Sequence, residues 1–345
     1  MNTPILEHNL MFKKDPLVSV IMAVYNCESY VSEAVNSILE QSYSNFEIII
    51  INDNSQDRTL SILEGYKDPR LKIFSNEINL GLTKCLNIGI DKSNGVYIAR
   101  MDGDDICEKN RISEQVNFMG RNPDIGVCGT WMRTFGSENF IFKYPTHDLD
   151  IKLGLTYQSQ FCHPSVMIRK EILDKIGIYY DEDFLSAQDY ALWTDLSPHT
   201  QFANLPDYLI NYRIHSSSIS SSKREQQKIN QFKIIQRYFS KTNLNLDQGE
   251  IQSYLLLTSQ KFNLTKDEFL SIKITLEKLI CIDSEKLGLT EVCWGKFLAE
   301  KWFHLCYNIK LSNTNLYREY FNSPLAEYRN PNVFEKLKFK LKQLS

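Results

Sequence analysis

VYIARMDGDD occupies residues 96–105, and its reading decides the fold. Val96 to Ala99 has the composition of a strand buried on both faces, and it ends at Arg100-Met101-Asp102-Gly103-Asp104-Asp105. Three carboxylates within four residues repel one another unless a cation or water separates them. Hard oxygen ligands suit Mg²⁺ or Mn²⁺, ions that also grip substrate phosphates. Gly103 lets the backbone approach a ligand closely. A solvated acidic turn is the competing reading; the apolar strand directly before it favours the metal-binding one.

Upstream, strand and helix patterns alternate. Leu17 to Val24 is a β-branched-rich apolar run, Phe46 to Ile51 a second and Leu71 to Phe74 a third. Val31, Ala34, Val35, Ile38 and Leu39 lie on one helical face, as do Leu82, Cys85, Leu86 and Gly89. Asn52-Asp53-Asn54-Ser55 is a turn that tolerates left-handed backbone, and Ser55 is an N-cap candidate for a helix through Tyr66. The order predicts an α/β fold with a mainly parallel, twisted sheet flanked by helices. Ligands bind such sheets at the carboxyl ends of the strands. Three polar clusters fall there: Tyr25-Asn26, Asp53 and Asp102 to Asp105.

The bulk properties narrow the class. A net charge of −3 over 345 residues gives no global field for nucleic acid, which is not expected as a partner. The eight cysteines include no CxxC pair, so neither a zinc ribbon nor a dithiol site is suggested, and free thiols in a reducing, cytoplasmic setting are expected. No apolar run is long enough to span a bilayer. Lys13 and Lys14 before Leu17 to Tyr25 imitate a signal peptide, but the run starts late and lacks a small-residue cleavage site, so a buried strand is expected. No GxxxxGK[ST] loop occurs, and no GxGxxG follows the first strand. Phosphates would therefore be held by metal and side chains. A Ser-rich stretch from Ser216 to Ser222 leads into lysine-rich helical sequence, dividing the chain into a leader (1–15), an α/β domain (16–220) and a helical C-terminal region (221–345).

With these segments in view, residues 17 to about 220 resemble the family 2 glycosyltransferases of the GT-A fold. The matching segments are VSVIMAVYN (18–26), IIINDNSQD (49–57), NLGLTKCLNIGI (79–90), YIARMDGDD (97–105), HPSVMIRK (163–170), AQDYALW (187–193) and YRIHSSSIS (212–220). The resemblance implies an inverting, divalent-metal-dependent transferase. Its donor would be a nucleotide-diphosphate sugar, a UDP-sugar by preference. Its acceptor would be a hydroxyl of a glycan or a lipid-linked saccharide, in surface polysaccharide assembly. Ala23, Tyr25 and Glu28 would line the nucleotide pocket, and Asp53 would accept from the imide N–H of uracil. Lys84 and Arg100 would face the base or diphosphate, and Asp102 the ribose. Asp104 and His215 would hold the metal, Mn²⁺ or Mg²⁺. Asp189 would be the general base. The chain departs from the common pattern at Ala23 (usually proline), at Asn52-Asp53-Asn54-Ser55 (usually D-D-G-S) and at Gln188 (usually Glu).

Several of these residues carry a second reading. Tyr25 could be core filler, Asp53 could stabilise its own turn, Lys84 could be a solvated helix charge, and Asp189 could serve as a carboxylate at a helix N-terminus. His163 either shapes the acceptor side or fixes a turn. Trp193 either supports an acceptor pocket or packs in the core. A nucleotidyltransferase would carry a glycine-rich basic loop where Tyr25-Asn26-Cys27-Glu28 stands, and a retired, non-catalytic sugar-nucleotide binder would lack Asp104 or Asp189. In the tail, Val333, Phe334, Leu337, Leu341 and Leu344 form one helical stripe among Lys336, Lys338, Lys340 and Lys342. It reads either as a helix packed on the protein or as a peripheral contact with the anionic inner membrane surface.

Overall fold

The computed structural model describes residues 15–215, 224–259, 263–312 and 314–344. The expected leader, apart from Asp15, and the Ser216–Ser222 stretch lie outside these residues. Two compact units interleave along the chain. The first takes residues up to Tyr144, Phe161–Tyr179 and Ala203–His215; the second takes Pro145–Gln160, Tyr180–Phe202 and the residues from Ser216 onward. The expected division at 220 is a division of sequence, whereas the units in space exchange the chain several times, last between His215 and Ser216.

In the first unit, strands β1 (Val18–Val24), β2 (Phe46–Asn52), β3 (Leu71–Ser75) and β4 (Tyr97–Asp102) are parallel, in the order β3-β2-β1-β4. Every residue of β2 is buried, so the strand has no solvent face and its isoleucines each contribute roughly 1.5–3 kcal/mol by leaving water. Helices α1 (Val31–Leu39), α2 (Thr59–Glu64) and α3 (Leu82–Asp91) make the crossovers. The sheet then turns mixed. β5 (Ile106–Cys107) pairs antiparallel with β9 (Gln201–Ile214). β6 (Ile125–Gly136) pairs antiparallel with β7 (Ile141–Phe142) and with β8 (Met167–Arg169), and β8 pairs antiparallel with β4. The parallel expectation thus describes the half made by β1 to β4, and an antiparallel half extends it into one mixed sheet.

The second helix is shorter than the sequence suggested. It starts at Thr59 rather than after Ser55, and ends at Glu64 rather than Tyr66. Asp57 Oδ1 accepts from Thr59 N at 2.9 Å, and Ser55 Oγ is taken by Asn26 N at 3.1 Å, so residues 53–58 form a loop. Asn54 adopts φ +58, the left-handed backbone expected of that turn.

Helix α4 (Arg111–Arg121) completes the first unit's early helices, and of the next three, α5 (Asp148–Leu155), α6 (Lys170–Ile176) and α7 (Gln188–Leu196), the first and third belong to the second unit. That unit continues with α8 (Arg224–Ser240), α9 (Gln248–Thr258), α10 (Lys266–Leu279), α11 (Glu291–Asn308), α12 (Leu316–Phe321) and α13 (Val333–Leu344), the C-terminal helical region. Asp247 with Glu250 and Thr265 with Glu268 form capping boxes that satisfy the first amides of α9 and α10. Trp193, Trp294, Trp302, Tyr238, Tyr254 and Phe269 are fully buried in its core, which settles Trp193 as a packing residue.

Gly89 marks the tightest contact of α3 with the sheet. A Cβ there would lie 2.4 Å from Ile21 Cγ2, on the central strand β1. For Gly89→Ala, helix propensity favours alanine by up to about 1 kcal/mol, while overpacking costs about 1–3 kcal/mol. Ile21 is β-branched and buried and cannot rotate away. The variant is expected to lose about 1–2 kcal/mol net, read as a lower urea midpoint. An unchanged midpoint would show that the α3–β1 interface yields.

Candidate functional site

Strand register brings the polar clusters level. Ala23 pairs with Ile51 and with Asp102, and Val24 pairs with Asn52. The segments after β1, β2 and β4 therefore leave the sheet at one end. Gly103 is required there by packing rather than by backbone angle: a Cβ would lie 2.8 Å from Val24 Cγ1 and 3.3 Å from Cys27 Sγ.

The first two loops are clasped together. Cys27 N donates to Thr59 Oγ1 at 2.7 Å and Glu28 N to Asp57 Oδ2 at 3.0 Å. In return Gln56 N donates to Asn26 Oδ1 at 2.8 Å and Arg58 N to Glu28 Oε2 at 2.9 Å. Glu28 is thus engaged by Arg58, whose Nε also reaches it at 3.2 Å. Tyr25, at the tip, is 48% exposed, and Ala23 is partly exposed beside it. Core filler does not describe Tyr25. Asp53 is buried, and its carboxylate accepts from Asn76 Nδ2, Leu80 N and Gly81 N, each at 2.8 Å. It ties down the loop that starts α3. Of its oxygens, Oδ2 carries only one of these bonds. Lys84 stands exposed on the first turn of α3.

The acidic turn gathers three carboxylates. Carboxylate oxygens of Asp102, Asp104 and Asp105 lie within 4.8 Å of one another. Arg100, nearly buried, pairs with Asp102 through both terminal nitrogens. His215 Nε2 lies 2.9 Å from Asp104 Oδ2. Asp105 is buried, accepts from Arg213 N at 2.8 Å through Oδ1, and its Oδ2 has no partner among the described residues. Burial, reinforced by the Asp102 and Asp104 charges, pushes the Asp105 carboxyl well above its ordinary range. Three acidic groups with one orphaned buried oxygen, and an imidazole alongside, fit a hard divalent cation. Burial, with the carboxylates of Asp104, Asp102 and Asp57, pushes the adjacent Cys27 thiol up to about 12.

Sequence reasoning missed what holds this turn. Arg213 Nε donates to the Asp104 carbonyl at 2.8 Å, and its Nη2 pairs with Glu33 at 2.5 Å. Its guanidinium lies over Tyr30 and Phe135, 4.7 and 4.4 Å from the ring centroids. The His215 ring lies 4.8 Å from that of Tyr30. Arg111, fully buried, donates to the Arg100 carbonyl at 2.8 Å and to Gln115 Oε1 at 3.1 Å. Arg213 lies inside the segment that singled out His215, but nothing in spacing reveals its partners. His163 is half-buried in a short 3₁₀ turn, and burial with the nearby Arg100 charge holds its imidazole well below the usual range, hence neutral.

Asp189 belongs to the second unit. It sits on the first turn of α7, after Ala187 at φ +60, and Ser159 Oγ donates to its Oδ2 at 3.3 Å. The helix N-terminus favours its ionised form.

The Asp105 environment sets a pH dependence. Its folded pKa is raised, so the unfolded chain releases this proton first. The stability present below the unfolded value is therefore lost as pH rises toward the folded one. With cations removed by EDTA, Asp105→Asn is expected to be more stable than wild type at pH 8 by about 1–3 kcal/mol, with the gap shrinking at acid pH. Urea unfolding checks this; a variant no more stable at pH 8, or a gap independent of pH, would contradict it.

Comparison with known proteins gives the family. Residues 19–177 match the family model described as "Glycosyl transferase family 2". The chain is 36% identical over 216 residues to the O-antigen biosynthesis glycosyltransferase WbnJ of Escherichia coli, covering 60% of this chain and 83% of that protein. It is 30% identical over 209 residues to the E. coli UDP-Glc:alpha-D-GlcNAc-diphosphoundecaprenol beta-1,3-glucosyltransferase WfaP, covering 60% and 81%. Among solved structures, Staphylococcus aureus TarS 1–349 in complex with UDP-GlcNAc superposes with a TM-score of 0.58 at 19% identity, over 94% of this chain and 92% of that one, a likeness of fold. By its matched domain and its relatives, the chain belongs to glycosyl transferase family 2 and is a glycosyltransferase.

Proposed function

We propose that the chain transfers a sugar, with inversion, from a UDP-sugar to a hydroxyl of a glycan or lipid-linked acceptor in surface polysaccharide assembly, with a divalent cation. The observation that carries this is the cluster of Asp102, Asp104 and Asp105 at the strand tips, with His215 against Asp104. The O-antigen and diphosphoundecaprenol names of two relatives support the acceptor class, and the UDP-GlcNAc complex of a structural neighbour supports the donor class.

On this reading Tyr25 presents its exposed ring to the base, between Ala23 and Glu28. Asp53 accepts the uracil imide N–H on Oδ2, which has capacity for a second donor. Asp53 thereby does both jobs, fixing the loop and reading the base. Lys84 and Arg100 contribute positive charge toward the diphosphate, and Asp102 accepts from the ribose. Asp104 and His215, with the neighbouring carboxylates, would hold Mn²⁺ or Mg²⁺. When bound, such an ion offsets charge growing on the leaving diphosphate. Asp189 takes the proton of the acceptor hydroxyl as its oxygen bonds to the anomeric carbon and the bond to UDP breaks on the opposite face. The transition state has oxocarbenium character, and one displacement inverts the centre.

UDP release from UDP-sugars with saturating Mn²⁺ tests the roles. Asp104→Ala and Asp189→Asn are each expected to lower turnover by about 10²–10⁴-fold. Asp189→Asn should retain UDP binding by calorimetry, since it removes the base and not the donor site. Wild-type turnover in either variant would remove the mechanism.

A further inference from the structure

The C-terminal helix of the described chain has two apolar sides with opposite fates. Phe339 is fully buried among Phe303, Tyr307, Tyr317 and Tyr320, with ring centroids 5.4–6.2 Å away. Lys342 Nζ reinforces that side, donating to Asn308 Oδ1 at 3.0 Å and lying over the Tyr307 ring. Asn332 and Glu335 cap the helix reciprocally, at 2.8 and 2.9 Å, and Glu335 also pairs with Arg329. The helix is therefore anchored in one orientation. At about 100° per residue, Val333, Phe334, Leu337 and Leu341 fall on the side away from Phe339. They are 84, 64, 55 and 58% exposed. This is the packed helix and the bare stripe at once.

The charges bordering the stripe identify its partner. By the same helical spacing Lys340 edges it on one side and Lys338 on the other. Lys338 Nζ lies 4.3 Å from the Phe334 centroid, its stem laid along the apolar surface. Lys336 and Lys340 lie over Phe321 and Tyr317. The acidic residue of the helix, Glu335, is engaged by Arg329 and by the cap. An apolar strip rimmed by lysines, with its acid neutralised, matches the boundary between anionic headgroups and acyl chains. We propose that α13 docks this chain on an anionic lipid bilayer, burying Val333, Phe334, Leu337 and Leu341 while Lys338 and Lys340 meet the headgroup phosphates. This goes beyond the transfer reaction and does not depend on which donor or acceptor is used.

The test is sedimentation of the full chain with vesicles of phosphatidylcholine alone or mixed with phosphatidylglycerol. Binding is expected to the mixed vesicles, and to fall with added salt. Phe334→Asp with Leu337→Asp, and separately Lys338→Gln with Lys340→Gln, should each reduce the bound fraction by roughly tenfold. These side chains are exposed, and circular dichroism melts check that each variant folds. UDP release should stay at the wild-type level in the lysine variant, so failure here is separable from failure of the transferase reading. No binding to mixed vesicles, or binding that ignores both variants, overturns the proposal. So does a dimer in sedimentation velocity that Phe334→Asp dissociates, because the stripe would then be covered by a second copy.

Discussion

Mutual repulsion of three carboxylates at one strand tip is the constraint that organises the first unit. Two unit charges about 4–5 Å apart repel by roughly 3–4 kcal/mol at an effective dielectric of 20. A sum over three pairs rivals the net stability of a domain. The protein answers each charge separately. Arg100 neutralises Asp102, the imidazole of His215 meets Asp104, and Asp105 takes a backbone N–H and is driven toward its neutral form. Arg213 is central because it serves two of these: its amide holds Asp105 and its side chain holds the Asp104 carbonyl. Strand β9, which delivers both Arg213 and His215, is thereby locked to the turn it compensates.

Position comes from register and close packing. A parallel sheet aligns the ends of β1, β2 and β4, so no long-range loop search is needed to gather their tips. Gly103 lets the acidic turn sit on Val24 and Cys27, tying the loop after β1 to the turn after β4. The clasp between residues 26–28 and 55–59 then fixes the loop after β1 to the loop after β2. Asp53 extends this to the start of α3.

What was legible in the sequence follows from the range of each signal. The first four strands and α1 and α3 were readable because buried parallel strands and amphipathic helices leave short-range periodic patterns. The acidic turn was readable because its charges adjoin a strand. The start of α2 was misread: Ser55 has capping chemistry, but Asn26, distant in sequence, claims its hydroxyl. Among the antiparallel strands, β5, β7 and β8 escape such a reading because they are two or three residues long, too short for a period to register. Arg213, Arg111 and Asp57 act through tertiary partners that sequence spacing does not contain. In the tail, periodicity found the apolar arc but not which side would be covered; one aromatic, Phe339, decides that.

The same electrostatics bears on the form of the displacement. A two-step transfer needs a nucleophile at the donor carbon. Of the first unit's groups at the acidic turn, the Cys27 thiol is held protonated by its burial and by the carboxylates around it. Asp105 is about 1% exposed and is driven toward its neutral form. Asp102 and Asp104 are engaged by Arg100 and His215, which lowers their nucleophilicity. Acids so engaged are poor nucleophiles, which accords with the direct attack by the acceptor oxygen that we propose. In that proposal the acceptor proton is assigned to Asp189, and its place on the first turn of α7 suits the part, since a helix N-terminus favours a carboxylate's ionised form.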